Sequence, residues 1–100
     1  MQFGRVVGTV WATQKDAKLE NLKFLLVEEL DARNRSRHAF TVAIDAVGAG
    51  QGEIVLFATG SAARQTIQTD GRPADAVIMA IVDSWDLDGD VVFRKDAEED

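Results

Sequence analysis

One hundred residues, 46% of them hydrophobic, are enough to bury the core of one domain, and with no cysteine in the chain disulfides and thiolate metal sites are excluded. A formal net charge of −6 argues against a general nucleic-acid or anionic-membrane surface, because both polyanions are held mainly by clustered Lys and Arg. No apolar run approaches the roughly 20 residues that span a bilayer, and Met1-Gln2-Phe3-Gly4-Arg5 does not open a basic region followed by a long apolar stretch, so a cytoplasmic protein is expected.

Phe3 to Thr13, F-G-R-V-V-G-T-V-W-A-T, is rich in β-branched and aromatic residues and interrupted by Gly4 and Gly8, which predicts a long first strand that bends. Gln14 to Asn21 is polar and reads as a loop, with Leu19 turned back onto the body. Leu22 to Leu30 is the second strand; its leucines, lysine and glutamates would also suit a helix, but the run is short and bounded by polar turns.

Asp31 to Arg37 reads as a polar turn with three arginines, a solvated hairpin tip rather than a nucleic-acid patch, since no aromatic residues are interleaved for stacking. His38 is the sole histidine, which excludes a multi-histidine metal site within one chain. Ala39 to Val47 is the third strand. Asp45 lies inside that apolar run, where a carboxylate needs a partner, and is read as a hydrogen-bond acceptor for nearby backbone or an arginine.

Gly48, Gly50 and Gly52 follow in D-A-V-G-A-G-Q-G-E, Asp45 to Glu53. A dinucleotide site would need G-x-G-x-x-G leading into a helix, whereas G-x-G-x-G here leads into the strand-like Glu53 to Thr59. A glycine-rich turn between adjacent strands is the better reading. Gly60-Ser61-Ala62-Ala63-Arg64-Gln65 then predicts a short helical turn with Ser61 as its N-cap.

Thr66 to Pro73 is a further irregular connection. Ala76 to Val82 is the most continuously apolar run and predicts a strand buried on both faces. Asp86, Asp88 and Asp90 have the spacing of calcium-loop acids, but Val91 stands where the loop needs glycine and Ala97 where it needs a bidentate glutamate. Asp88-Gly89 instead predicts a hairpin turn into a final strand, Val91 to Phe93. Asp96, Glu98, Glu99 and Asp100 form an acidic tail, so a single domain over 1–95 and a tail over 96–100 are expected. No Ser-His-Asp set, HExxH or phosphate-binding loop motif is present, and neither catalysis, a metal nor a cofactor is expected.

Several matches in sequence order resemble the EutN/CcmL family of bacterial microcompartment shell proteins. They are G-R-V-V-G-T-V (Gly4 to Val10), K-F-L-L-V (Lys23 to Val27), D-A-V-G-A-G-Q-G-E, G-S-A-A-R (Gly60 to Arg64) and P-A-D-A-V-I-M-A-I-V-D (Pro73 to Asp83). Sequence periodicity by itself supports a small all-β domain. The resemblance implies a five-stranded OB-like β-barrel with a short helical turn, assembling as a cyclic pentamer at the vertices of a shell whose flat layers are hexameric. Its partners would then be copies of itself and hexameric shell proteins, with no nucleic acid and no membrane. The family signature falls on Asp45, Gly48, Gly50, Gly52, Glu53, Ser61 and Arg64, expected at subunit interfaces or near a central pore. An OB-type nucleic-acid-binding module and a small-molecule-binding oligomer are the competing classes.

Overall fold

The computed structural model describes residues 1–13, 16–19, 21–60 and 75–96, and among these seven strands form, six of them at runs expected to be strands. They are β1 (Gln2–Val10), β2 (Phe24–Leu30), β3 (Ser36–Asp45), β4 (Ile54–Thr59), β5 (Ala76–Ile81), β6 (Ser84–Leu87) and β7 (Asp90–Arg94). The first five close a barrel in the order β1-β2-β3-β5-β4, and β4 returns to pair with β1. Every barrel pair is antiparallel except β3 with β5. This is the expected OB-like, all-β architecture.

Alternation sorts the side chains. Val6, Leu25, Val27, Ala43, Val55, Phe57 and Ile78 fill the interior, and each is essentially inaccessible to solvent. On the outside, Leu30, Ile54 and Val82 pack with Phe3, Leu56, Trp85 and Phe93, so the β6–β7 hairpin is fastened by its base against β1 and β4. The ring of Trp85 stacks on Phe3 at 4.1 Å, and its Nε1 donates to the Ala32 carbonyl at 2.8 Å.

Most expected boundaries move by a residue or two, and one strand is new. β1 ends at Val10, and β3 starts at Ser36, inside the stretch read as a polar turn. That extension is possible because the register shifts between Glu28 and Leu30, allowing Ser36 to pair with Leu30. The expected bend of the first strand is present as a register shift between Val6 and Gly8. Leu19, in a single 3-10 turn, is half-buried. The apolar fifth strand is buried from Ala76 to Ile78 and half-buried from Met79 to Ile81. The final strand has a partner in β6, and Asp88 (φ 54°) and Gly89 (φ 84°) form the turn between them, as Asp-Gly chemistry predicts. The helical turn expected at Gly60 to Gln65 lies, beyond Gly60, outside the described residues.

Gly4 is the glycine that close packing requires. A Cβ there would overlap Val27 Cγ1 and come within 3.0 Å of Phe57 Cε1 and 3.2 Å of the Glu28 carbonyl oxygen. Gly4→Ala is therefore expected to cost about 1–3 kcal/mol by overpacking. Adding Val27→Ala relieves the worst overlap, so denaturant titration of the pair should show a loss smaller than the sum of the single losses.

Candidate functional site

The chain leaves β3 through Asp45, whose side chain is only 3% exposed. Its Oδ1 accepts from three successive amides, Val47 N and Gly48 N at 3.0 Å and Ala49 N at 3.2 Å. A single carboxylate oxygen thus folds the start of the glycine-rich loop around itself. Oδ2 lies 3.9 Å from Lys23 Nζ, a largely exposed lysine, so backbone amides are the principal partners. The expected acceptor role is borne out, with lysine rather than arginine as the nearby cation.

Gly48 (φ 79°) and Gly52 (φ 85°) hold left-handed conformations, and a Cβ on either would meet nothing within 4 Å. These two are glycine for backbone angle, not for close approach within the chain. Between them Ala49 is 1% exposed and joins the interior cluster, so the loop inserts one small apolar side chain into the end of the barrel. Gly52 N donates to the Val6 carbonyl at 2.8 Å and Val6 N to the Glu53 carbonyl at 2.9 Å, which extends the pairing of β1 and β4 past Arg5. Gln51 Nε2 donates to the Val7 carbonyl at 3.1 Å, inside the irregular part of β1.

Glu53 closes the loop from its far end. Oε1 accepts from Gly50 N at 2.7 Å, and Oε2 accepts from Lys95 Nζ at 2.9 Å. The bond from Lys95, and then that from the Gly50 amide, hold the Glu53 carboxyl below its ordinary 4.5; the same bond to Glu53 raises Lys95 above 10.5. The depressed acid contributes stability that is full above 4.5 and lost as pH falls through its folded value. The raised base contributes stability that is full below 10.5 and lost as pH rises through its folded value. Glu53→Gln should therefore cost a small, constant amount of melting temperature between those limits. Melting curves across pH should show the gap to the parent protein closing at both ends.

Asp45, Gly48, Gly50, Gly52 and Glu53 are thus gathered in one barrel-end cap, while Ser61 and Arg64 lie outside the described residues. The cap's chemistry is internal: the amides of Val47, Gly48, Ala49, Gly50, Gly52 and Glu53 all have acceptors in the chain itself. Amides already bonded to protein oxygens are not a cradle for phosphate, so the turn reading of the glycines is the one that fits. Sequence reasoning missed Ala49, Gln51 and Lys95. An alanine between glycines has no size signal, and Lys95 sits at the edge of a stretch read as tail.

At the opposite side of the chain's charge balance, the β2–β3 turn is stapled by Asp31. Its Oδ1 accepts from Arg33 N at 2.8 Å and Arg35 N at 3.0 Å, and Oδ2 lies 3.4 Å from Arg35 Nε. The Arg35 amide, helped by the Arg33 amide and the Arg35 guanidinium, holds the Asp31 carboxyl below its ordinary 3.8.

Known proteins share this barrel. The family model described as "Ethanolamine utilisation protein EutN/carboxysome" matches residues 1–83. The chain belongs to the EutN/CcmL family. It is 43% identical over 95 residues to the carboxysome shell vertex protein CcmL of Gloeobacter violaceus, covering 95% of each chain. The solved structure of that CcmL superposes with a TM-score of 0.93 over 97% of this chain and 100% of the other. Identity to the microcompartment shell vertex protein EutN of Salmonella typhimurium is 39%, over 95% of this chain and 96% of the relative. The pentameric microcompartment shell protein GrpN of Rhodospirillum rubrum is 38% identical in its solved structure, with a TM-score of 0.79 over 87% of this chain and 100% of GrpN. The EutN/CcmL relatives are thus shell components, and among the described residues no helix is long and apolar enough to cross a membrane.

Proposed function

We propose that this chain assembles as a homopentamer that caps the vertices of a bacterial microcompartment and closes its shell, meeting hexameric shell proteins at its rim and acting as a structural part rather than an enzyme. The observation that carries this reading is the near-complete overlap of fold and sequence with a shell vertex protein, joined to a pentameric neighbour of the same fold. Six-fold units tile flat layers, and a five-fold unit supplies the missing wedge that curvature needs. A shell corner calls for a rigid block, and the doubly tied cap with a closed barrel supports that use.

Asp45, Gly48, Gly50, Gly52, Glu53, Ser61 and Arg64 are assigned to the ring's subunit interface or to the surface near its axis. Gly50 offers the clean test, because it is exposed and a Cβ on it would meet only Glu53 Oε1, at an ordinary 3.6 Å. Gly50→Trp is expected to fold as a protomer with an unchanged far-ultraviolet dichroism spectrum and to lose the ring, its melting temperature falling only by what assembly contributes. An intact ring in both Gly50→Trp and Arg64→Ala would remove this placement. The function itself is tested by producing hexameric shell proteins with and without this chain and examining the particles by electron microscopy. Closed polyhedral shells are expected only with it; equally closed shells without it would refute the vertex role.

A further inference from the structure

Trp11 is the most exposed large apolar side chain among the described residues, at 88%. It stands one residue past the end of β1, where Val10 pairs with Phe24 at the start of β2. The chain enters β2 through Asn21, at φ 67°, and Leu22, whose amide donates to the Leu19 carbonyl at 3.4 Å. Trp11, Val10, Leu22 and Phe24 thereby line a groove of about 240 Å³, with Lys23 at its rim. Its floor is fixed, because Leu22 and Phe24 pack on the buried Ile44, Ala58 and Val77. The β6–β7 hairpin covers Phe3 at the other end of β1, so the groove is a separate surface.

A large apolar side chain exposed by itself is ordinary, but one beside a concavity with apolar walls marks an interaction site. Tryptophan is also among the residues that most often carry the energy of such contacts. A volume of about 240 Å³ falls below the roughly 300–1,000 Å³ of small-molecule pockets and suits one protruding side chain. Lys23 is the one charged residue among the described residues that line the groove. Its ammonium is largely exposed and lies 3.9 Å from Asp45, whose carboxylate is already bonded to three amides, so the lysine keeps donors for a further acceptor. On a chain of net charge −6, a cation beside an apolar groove favours a partner with a carboxylate next to the inserted side chain.

We propose that this groove docks an acidic segment of a second protein, which inserts one leucine or phenylalanine against Trp11, Leu22 and Phe24 and sets a carboxylate on Lys23. The groove lies within one protomer, so its use does not rest on the ring reading.

The probes are two acetylated, fluorescein-labelled heptapeptides, A-E-E-F-E-E-A and A-E-E-L-E-E-A, with counterparts carrying alanine at the centre or lysine in place of glutamate. Fluorescence anisotropy reads their binding to the full chain at physiological salt. At least one acidic probe should bind about tenfold or more tightly than its alanine-centred and lysine-bearing counterparts. Trp11→Ala should weaken that binding by about tenfold or more, and Lys23→Gln by about three- to tenfold with a smaller salt dependence. Both positions are exposed, so each variant is expected to keep the native mass and melting temperature of the parent. With unlabelled probe, acrylamide quenching of Trp11 should fall, while Trp85, stacked on Phe3, supplies a shielded background. Absence of binding, equal binding of the alanine-centred or lysine-bearing peptides, or undiminished binding to Trp11→Ala would overturn the docking. Loss of the parent's oligomeric mass in Trp11→Ala would assign the groove to a contact between copies, which overturns it as well.

Discussion

Phe57→Ala is expected to cost about 3–5 kcal/mol, the range for emptying a buried aromatic site that cannot collapse. Phe57 is wholly inaccessible and lies in β4 between β1 and β5, with its ring packed over Gly4 of β1. No neighbour can fill the space, because the surrounding Val6, Leu25, Val27, Val55 and Ile78 project from strands locked into a closed barrel. For a domain of this size the loss is a large part of a total stability of about 5–15 kcal/mol, and melting should fall by roughly 15–30 °C. Assembly adds to apparent stability by mass action, so the comparison belongs at several protein concentrations. A fall of only a few degrees would mean that the barrel interior is not the principal core.

Asp45→Ala is the second large effect, expected at about 2–4 kcal/mol. One oxygen is removed, but three amides lose their acceptor. Bonds to a charged group are worth about 1.5–3 kcal/mol each where water cannot replace them. Val47 and Gly48 are exposed and recover part of that from solvent, while the Ala49 amide lies beside a side chain buried in the interior and recovers little. Asp45→Asn keeps an acceptor at the same place and should recover more than half of the loss. Hydrogen exchange offers the local reading: in Asp45→Ala the amides of Val47 to Ala49 should exchange much faster, with β1 and β2 barely changed. Equal acceleration throughout the barrel would deny Asp45 its role as the loop's anchor.

Residue patterning foretold most of the strands, while their closure into a barrel entered only through the family resemblance, and the reasons can be seen element by element. β2, β4 and β5 are apolar runs between polar or glycine-rich breaks, and burial demands little else of them. β6 has no strand signal of its own, because Ser84-Trp85-Asp86-Leu87 offers only two apolar positions, Trp85 and Leu87, in a stretch otherwise dominated by acids. The start of β3 was hidden for a similar reason, since Arg35-Ser36-Arg37-His38 has the composition of a turn and pairs only through an irregular register.

The glycines show a different limit. Gly4 and Gly48 are the same letter in the sequence, yet one is required by Val27 and Phe57 above it and the other by a φ of 79°. The alternating glycines read as a turn between strands, and for Gly48 and Gly52 the chain itself requires only the backbone angle. In the cap, Asp45 was readable because a carboxylate inside an apolar run needs donors to bond to it, and Glu53 entered only through the family signature. Ala49 and Lys95 gave no comparable signal, since their roles depend on contacts across the fold.

The ring is the central claim, and native mass spectrometry of the purified chain over a range of concentrations tests it most directly. The account predicts a dominant species at five times the 10.9 kDa chain mass that persists on dilution. A monomer at every concentration, or a six-fold ring that could only extend a flat layer, would contradict it.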